Sequence, residues 1–528
     1  VMEKVNSSLI ANVEHAVCVA LVIHASLSFL KADKRKLWKT VFTTAVDTFA
    51  AIVPGVSGVL ASEKNKALAD IEKDMLGDGD EDANVSIPST GLSSDQVMAK
   101  AEALKKTHEG FASGKKWGGI YHQPGSEITT LQSKMWGLFN STNSLYPGVF
   151  PSVRKFEAEL ISMVASMVQG NCGLLTSGGT ESILIAVLAY REHYAKVKRI
   201  TSPEIICCVT AHPAIHKACK YFGVTLIKAP YDPRTFQLTP AIVKRYLTRN
   251  TIAIYASAPT FPHGVLDDVE GLASLATKRG IGLHVDNCLG GFLLSYLRKE
   301  KLMTRDFDFS VPGVTTMSVD LHKYGGSNKG CSVCVFASDE LRAASYMPSF
   351  DGCEGLYVTP TLQGSRSGAT MAASWGSVLH RGDDGYRKMA RSHHNTLEKA
   401  KSIVASIDGL ELLVEPEGAI LPIVTSPSHP KLNIYTISSQ LEKRGWNMFT
   451  GQNPPVLGLC VGDVHLQMLD QWGEDLKASV AHVMANPDEK PTGNAAVYGS
   501  ASTIPDTLLD GILREYVDIS LKVKPKEN

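Results

Sequence analysis

A lysine, an aspartate and a histidine each stand at or just beyond the end of a short apolar run in this chain, and a glycine turn opens a helical run upstream of all three. The turn is SGGTES from Ser177, after CGLLT and before ESILIAVLAYRE. Strand, glycine turn and helix start make an anion site: Gly178 and Gly179 let the backbone come close, Thr180 adds a hydroxyl, and helix-start amides face the negative charge. An ordinary capped helix gives the same pattern. His212, in VTAHPAIHK after EIICCV, is placed to lie flat on a planar ring, although a lone histidine is more often a satisfied structural residue and His216 is a decoy of the same kind. Asp286 closes the apolar run GLHV before NCLGGF, at the strand edge where cofactors bind, or as a helix cap. Lys323 lies in SVDLHKYGGSNKG with His322 beside it and glycines after it, which permit close packing on a flat ring; a plain loop lysine is the bland reading.

Each signal is weak alone, and their co-occurrence in this order is the argument. An amine, an anion turn, a carboxylate and an imidazole are the parts of a pyridoxal 5'-phosphate site. Lys323 would carry the cofactor as a Schiff base, and Asp286 on the pyridine nitrogen would favour the protonated ring that acts as an electron sink. His212 would stack on the ring, and His322 would join Gly178, Gly179 and Thr180 at the phosphate.

The elements that must position these residues are legible as well. Helical patterns alternate with EIICCV, VTLIKA, TIAIYA, GLHV and SVCVFA, which argues for a wound α/β sheet. After about residue 400 the pattern changes, and ELLVEPEGAILPIVTS reads as a hairpin that opens a smaller C-terminal α+β domain. The expected organisation is an anchor and basic flank over 1–39, a membrane-proximal helix and acidic linker over 40–94, an N-terminal segment contributing to the dimer and active site over 95–155, a large cofactor-binding domain over 156–400 and a small domain over 401–528.

Across 528 residues, 53 basic side chains balance 53 acidic ones, which argues against a nucleic-acid partner. The ten cysteines lack the spacing of a disulfide framework and read as reduced. Cys331 and Cys334 form one CxxC inside an apolar run, with no second pair to complete a zinc site, and read as core strand residues. Near the start, Val13 to Leu30 is an apolar run, barely long enough to span a bilayer and interrupted by Glu14, His15 and His24. Lys31, Lys34, Arg35, Lys36 and Lys39 follow, the positive flank expected on the cytosolic side of a single-pass anchor. A cleaved signal peptide and a buried helix are the other readings.

The segments TSGGTESI, FPHGVLDDV, LHVDNCLGGF, HKYG with a following KG, GSRSG and the tail TGNAAVYGSAS resemble the sphingosine-1-phosphate lyase family, of the aspartate aminotransferase-like fold type I, over nearly the whole chain. The resemblance implies a large domain with a mixed, mostly parallel sheet, a homodimer with shared active sites, and an endoplasmic reticulum membrane location with the catalytic body facing the cytosol. It implies Lys323 as the cofactor lysine, Asp286 on the ring nitrogen and His212 on the ring face. Gly179, Thr180 and His322 would hold the cofactor phosphate, with Gly364 and Ser365 reaching it from the partner subunit. The substrate phosphate would meet Tyr121, Tyr146 and Lys329, with Tyr498 approaching from the tail. At Tyr146 the chain departs from the family, reading NSLYPGVFP where the family has a histidine. A neutral phenol there removes a charge-assisted contact, weakening substrate binding by roughly 1 to 2 kcal/mol.

The expected reaction is aldehyde-lyase cleavage of a phosphorylated long-chain sphingoid base into a long-chain aldehyde and phosphoethanolamine, of the sphinganine-1-phosphate aldolase type. An amino-acid decarboxylase shares the ring-binding residues and is separated by carbon dioxide release. A membrane-anchored paralogue serving as a scaffold is a third reading, which the intact Lys323, Asp286 and phosphate turn oppose.

Overall fold

The computed structural model describes residues 83–106, 113–115, 119, 121, 125–353, 355–462, 465–492, 495 and 506–524, with scattered positions between 65 and 77. The run from Val13 to Leu30 and Tyr498 lie outside the described residues. Among the described residues, no helix is long and apolar enough to cross a membrane. The chain divides into two compact units, one formed by residues 1–107 with 496–528 and the other by residues 108–495. In the first unit the helix Ser94–Lys105 opens on a capping box, in which Ser93 Oγ accepts from the Gln96 amide and Gln96 Oε1 accepts from the Ser93 amide.

The second unit is built on a seven-stranded sheet. Its strands are β1 (Cys172–Thr176), β2 (Glu204–Cys208), β3 (Thr225–Ala229), β4 (Thr251–Ser257), β5 (Gly282–Asp286), β6 (Thr316–Asp320) and β7 (Ser332–Phe336), in the order β1-β7-β6-β5-β4-β2-β3. From β3 through to β6 every neighbour pairs in parallel, and β7 runs antiparallel to both β6 and β1. The sheet is therefore mixed and mostly parallel. Strands β4 to β7 are buried at every position, as expected where helices cover both faces. Alternation sorts the side chains: Ile205 and Cys207 of β2 enter one apolar cluster, and Ile206 and Cys208 enter the other. Cys331 and Cys334 are buried free thiols in and beside β7.

Helix α1 (Glu127–Phe139) and helix α2 (Pro151–Met167) precede β1. Helix α3 (Gly179–Tyr190) follows it directly and is apolar all round, with Ile183, Leu184, Ile185 and Val187 buried. Helix α4 (Ala214–Phe222) ends on Gly223 and helix α5 (Val269–Arg279) on Gly280, both glycines in the left-handed region that closes helices. Helix α6 (Gly291–Lys299) leads from β5 towards β6. Helix α7 (Gly368–Ala405) bends at Gly382, where φ is 60°. Its first half gives Met371, Ala372 and Tyr386 to the large core, and its second half gives Leu397, Ala400 and Val404 to another.

That other core lies under an antiparallel sheet of β10 (Leu410–Leu412), β11 (Ile420–Thr425), β13 (Val456–Cys460) and β12 (Phe449–Gly451). The segment expected to form a hairpin supplies β10 and β11, which pair antiparallel. Helices α8 (Ile434–Lys443) and α9 (Leu469–Ala485) pack on this sheet through Ile437, Leu441, Trp472 and Leu476. A two-stranded ribbon, β8 (Met347–Ser349) with β9 (Tyr357–Thr359), stands apart from both sheets.

Candidate active site

The C-terminal ends of β5 and β6 and the N-terminus of α3 meet on one face of the large sheet, the position where parallel sheets bind ligands. Strand alternation puts Leu283 and Val285 of β5, with Met317 and Val319 of β6, into the core below. His284, Asp286, Ser318 and Asp320 therefore share the opposite face, under α3.

Asp286 closes β5 and is 9% exposed. Tyr255 of β4 donates its phenol O–H to Oδ2, Ser318 Oγ donates to Oδ1 at 3.2 Å, and the Cys288 amide donates to Oδ1 at 3.1 Å. Burial alone would raise this carboxyl, but His212, the Tyr255 hydrogen bond, His284 and Lys323 outweigh it and hold the group below its ordinary range. His284 itself is held down to about 4 by burial, and its Nδ1 lies 2.8 Å from Thr316 Oγ1. The result is a buried, ionised carboxylate kept charged by donors, the state that partners a protonated ring nitrogen.

Lys323 follows β6 in a turn. Its Nζ lies 3.1 Å from Asp320 Oδ2, and Asp320 is 2% exposed. Burial alone would lower this amine; the carboxylates, Asp320 first and Asp286 after it, raise it above its ordinary value. His322 Nδ1 accepts from the Cys331 amide at 3.2 Å, which leaves Nε2 as the protonated nitrogen, 3.5 Å from Asp320 Oδ2. Burial lowers the His322 imidazole, with Asp320 opposing and Lys329 and Lys323 assisting.

The glycine turn closes over this group. Gly178 has φ 156°, and a Cβ there would stand 3.2 Å from His322 Cε1. At Gly179 a Cβ would collide with Cys288 Sγ and lie 2.9 Å from Asp320 Oδ1, so only glycine fits. The first helical bond runs from the Ser182 amide to Gly178 O at 3.0 Å, leaving the Gly179, Thr180 and Glu181 amides at the open end of α3. Exposed Thr180 adds its hydroxyl. Glu181, which sequence reasoning passed over, accepts from the Ser177 amide at 2.6 Å and the Leu362 amide at 3.2 Å.

Tyr121 and Lys329 join the same cluster. Tyr121 is 6% exposed, packs edge-on against Tyr324 at 5.0 Å, and lies under Lys329 Nζ, 5.0 Å from the ring centroid. Burial pushes its phenol up, with Cys460 adding and Lys323 opposing, so it stays a neutral donor. Lys329 Nζ donates to Gly119 O at 2.5 Å and to His322 O at 3.1 Å; burial and Lys323 lower its amine. His212 is exposed, and its Nδ1 accepts from the Ala214 amide at 3.2 Å.

Tyr146, Gly364 and Ser365 form a second group. Asn143 Nδ2 donates to Ser365 Oγ at 2.8 Å, its Oδ1 accepts from the Leu145 amide at 3.0 Å, and Ser144 N donates to Arg366 O at 3.1 Å. Tyr146 is 55% exposed. Among the described residues, no hydrogen bond or ion pair joins this group to Lys323, His322 or Asp286. The half-buried pair Arg366–Glu157, 2.5 Å apart, anchors the patch to α2.

The donor set fits pyridoxal phosphate. The turn is shaped so that a side chain at Gly178 or Gly179 would block it, the amides and hydroxyl suit a phosphate, and a half-buried amine and buried carboxylate share the adjoining face. Sequence reasoning missed Asp320, Tyr255, Cys288, Glu181 and Asn143. Asp320 alone left a signal, three residues before Lys323 at the end of an apolar run.

The sequence family described as the pyridoxal-dependent decarboxylase conserved domain matches residues 119–422. A sphingosine-1-phosphate lyase of Dictyostelium discoideum is 36% identical over 502 residues, covering 94% of this chain and 92% of its own length. One from Saccharomyces cerevisiae is 34% identical over 489 residues, covering 90% and 82%. Among solved structures, a sphingosine-1-phosphate lyase of Burkholderia pseudomallei aligns with a TM-score of 0.72 at 31% identity, covering 76% of this chain and 95% of that one. A glutamate decarboxylase of Lactobacillus brevis aligns with a TM-score of 0.65 at 18% identity, a likeness of fold alone.

Proposed function

We infer, for a chain that belongs to the sphingosine-1-phosphate lyase family within the pyridoxal-dependent decarboxylases, that it is an aldehyde-lyase cleaving phosphorylated sphingoid bases into a long-chain aldehyde and phosphoethanolamine. The observation that carries this reading is the single cluster in which Lys323, the α3 glycine turn, Asp286, Tyr121 and Lys329 meet. Pyridoxal phosphate is the cofactor; when bound, it supplies an electron sink for the pair released as the bond between the amine-bearing and hydroxyl-bearing carbons breaks.

The residues divide the remaining work. Lys323 Nζ is the amine that would hold the cofactor. Asp286, kept ionised by the Tyr255, Ser318 and Cys288 amide donors, would partner the cofactor's ring nitrogen. The open amides of α3 and the Nε2–H of His322 suit the cofactor phosphate. Lys329 supplies charge and Tyr121 a neutral O–H to the substrate phosphate, and edge-on packing against Tyr324 fixes the Tyr121 ring.

The second group extends the proposal to a homodimer, in which Gly364 and Ser365 reach the cofactor phosphate of the partner subunit. Asn143 supports it by tying the Tyr146 loop to Ser365, so Tyr146 would travel to the same place. A single-pass anchor in the endoplasmic reticulum membrane, with this unit facing the cytosol, rests on the apolar run and its basic flank in the sequence. The catalytic reading is tested by supplying a sphingoid base phosphate to the pyridoxal phosphate-loaded protein and analysing products. Aldehyde and phosphoethanolamine in equal amounts support it, and carbon dioxide from an amino acid instead would support a decarboxylase.

A further inference from the structure

We propose that Asp320 is a positioning residue for Lys323, an ion-pair anchor that aims the amine and retains its proton whenever that amine is not bonded to the cofactor. This rests on the cofactor reading above and assigns the site a part that the glycine turn, Asp286 and Lys323 do not supply.

The geometry is specific. Asp320 ends β6 and is 2% exposed, with Oδ2 3.1 Å from Lys323 Nζ and 3.5 Å from His322 Nε2. Its Oδ1 is buried without a hydrogen-bond partner among the described residues. Both oxygens crowd Gly179, where an added Cβ would lie 2.9 and 3.0 Å from them. One carboxylate thus touches the lysine, the neighbouring histidine and the backbone of the turn. A stabilising ion pair would have both oxygens satisfied, because a half-satisfied buried carboxylate costs stability. A carboxylate left in that state at the base of the site points to a role in chemistry.

The other groups facing Lys323 do not replace it. Cys288 lies in the loop after β5, and burial raises its thiol well above the ordinary value, so it stays neutral. Tyr121, from the segment before α1, is neutral for the same reason. On the lysine's own loop, Lys329 is a cation and His322 is lowered by burial. That leaves two carboxylates, Asp320 and Asp286, and Asp286 is already engaged by three donors. Burial without Asp320 would drive Lys323 towards the free amine, mobile and prematurely nucleophilic.

Competitive labelling with trace acetic anhydride on the full-length, cofactor-free protein tests this, with each lysine peptide followed by mass spectrometry across pH. The reagent reaches Lys323, whose side chain is 24% exposed, and exposed Lys220 serves as the internal standard. In the wild type, Lys323 labels with a pH midpoint above that of Lys220; a midpoint at or below it, as burial alone produces, overturns the proposal. In Asp320→Asn the Lys323 midpoint falls by about one pH unit or more, making labelling at a fixed lower pH about tenfold faster while Lys220 is unchanged. An unchanged midpoint in a variant with a native circular dichroism spectrum overturns the proposal. Should the variant not fold, the wild-type midpoint decides. Added pyridoxal phosphate protects Lys323 in the wild type; failure to protect would count against the cofactor reading, whatever the midpoints show.

Discussion

Tyr255 donates its phenol to Asp286 across the adjacent parallel strands β4 and β5, and its ring stacks on His284 with centroids 5.2 Å apart. The carboxylate is thereby fixed in direction as well as charge. Removing the donor leaves Asp286 buried with one partner fewer. Tyr255→Phe is expected to cost about 1 kcal/mol of stability and roughly tenfold in kcat, about 1.4 kcal/mol of barrier. Steady-state kinetics beside a thermal melt check this, and unaltered kcat would mean Asp286 needs no such support.

The family resemblance leads to the expectation of a histidine where this chain has Tyr146. Tyr146→His restores a group that can donate with charge, and KM for a sphingoid phosphate is expected to fall by roughly five- to tenfold. An unchanged or higher KM would show that the phenol is not a deficit.

Asn143 binds the Tyr146 loop to Ser365 by side-chain hydrogen bonds of 2.8 and 3.0 Å. Asn143→Ala is expected to release Ser365 and weaken pyridoxal phosphate binding by about tenfold, with secondary structure intact. Equilibrium titration of the cofactor reads this directly; wild-type affinity would separate the loop from the cofactor phosphate.

Acid stability follows from buried histidines. Burial holds His263, His284 and His465 each to about 4, against 6.5 for a free imidazole. Between those values the unfolded chain binds protons that the folded chain refuses, so acidification through that window favours unfolding. Asp267, raised to about 7 by burial, works the other way, since the folded state keeps a proton that the unfolded carboxyl releases. Three groups against one leave a net loss, and Tm is expected to drop by several degrees from pH 7 to pH 5. A Tm that holds or rises would show these imidazoles to be accessible.

The parallel strands were legible because β-branched and aliphatic runs at helix-length spacing have few other solutions, and Gly179, Asp286 and Lys323 sit at the ends of such runs. What escaped was set by pairing across the sheet. Tyr255 reads as one more buried aromatic in TIAIYA until β4 is placed beside β5. Asn143 and Ser365 are 222 residues apart and become partners only through the fold. Asp320 was visible as a residue type, but its role depends on α3 descending onto the end of β6. The exposed Tyr146 and Ser365 belong to a separate patch of the single chain, which no periodicity reveals.

Lys323→Ala tests the central claim most directly. The purified variant, incubated with pyridoxal phosphate and a sphingoid base phosphate, is expected to lack both the visible absorbance of lysine-bound cofactor and the formation of phosphoethanolamine, while keeping its secondary structure. Retention of that absorbance together with turnover would contradict the account.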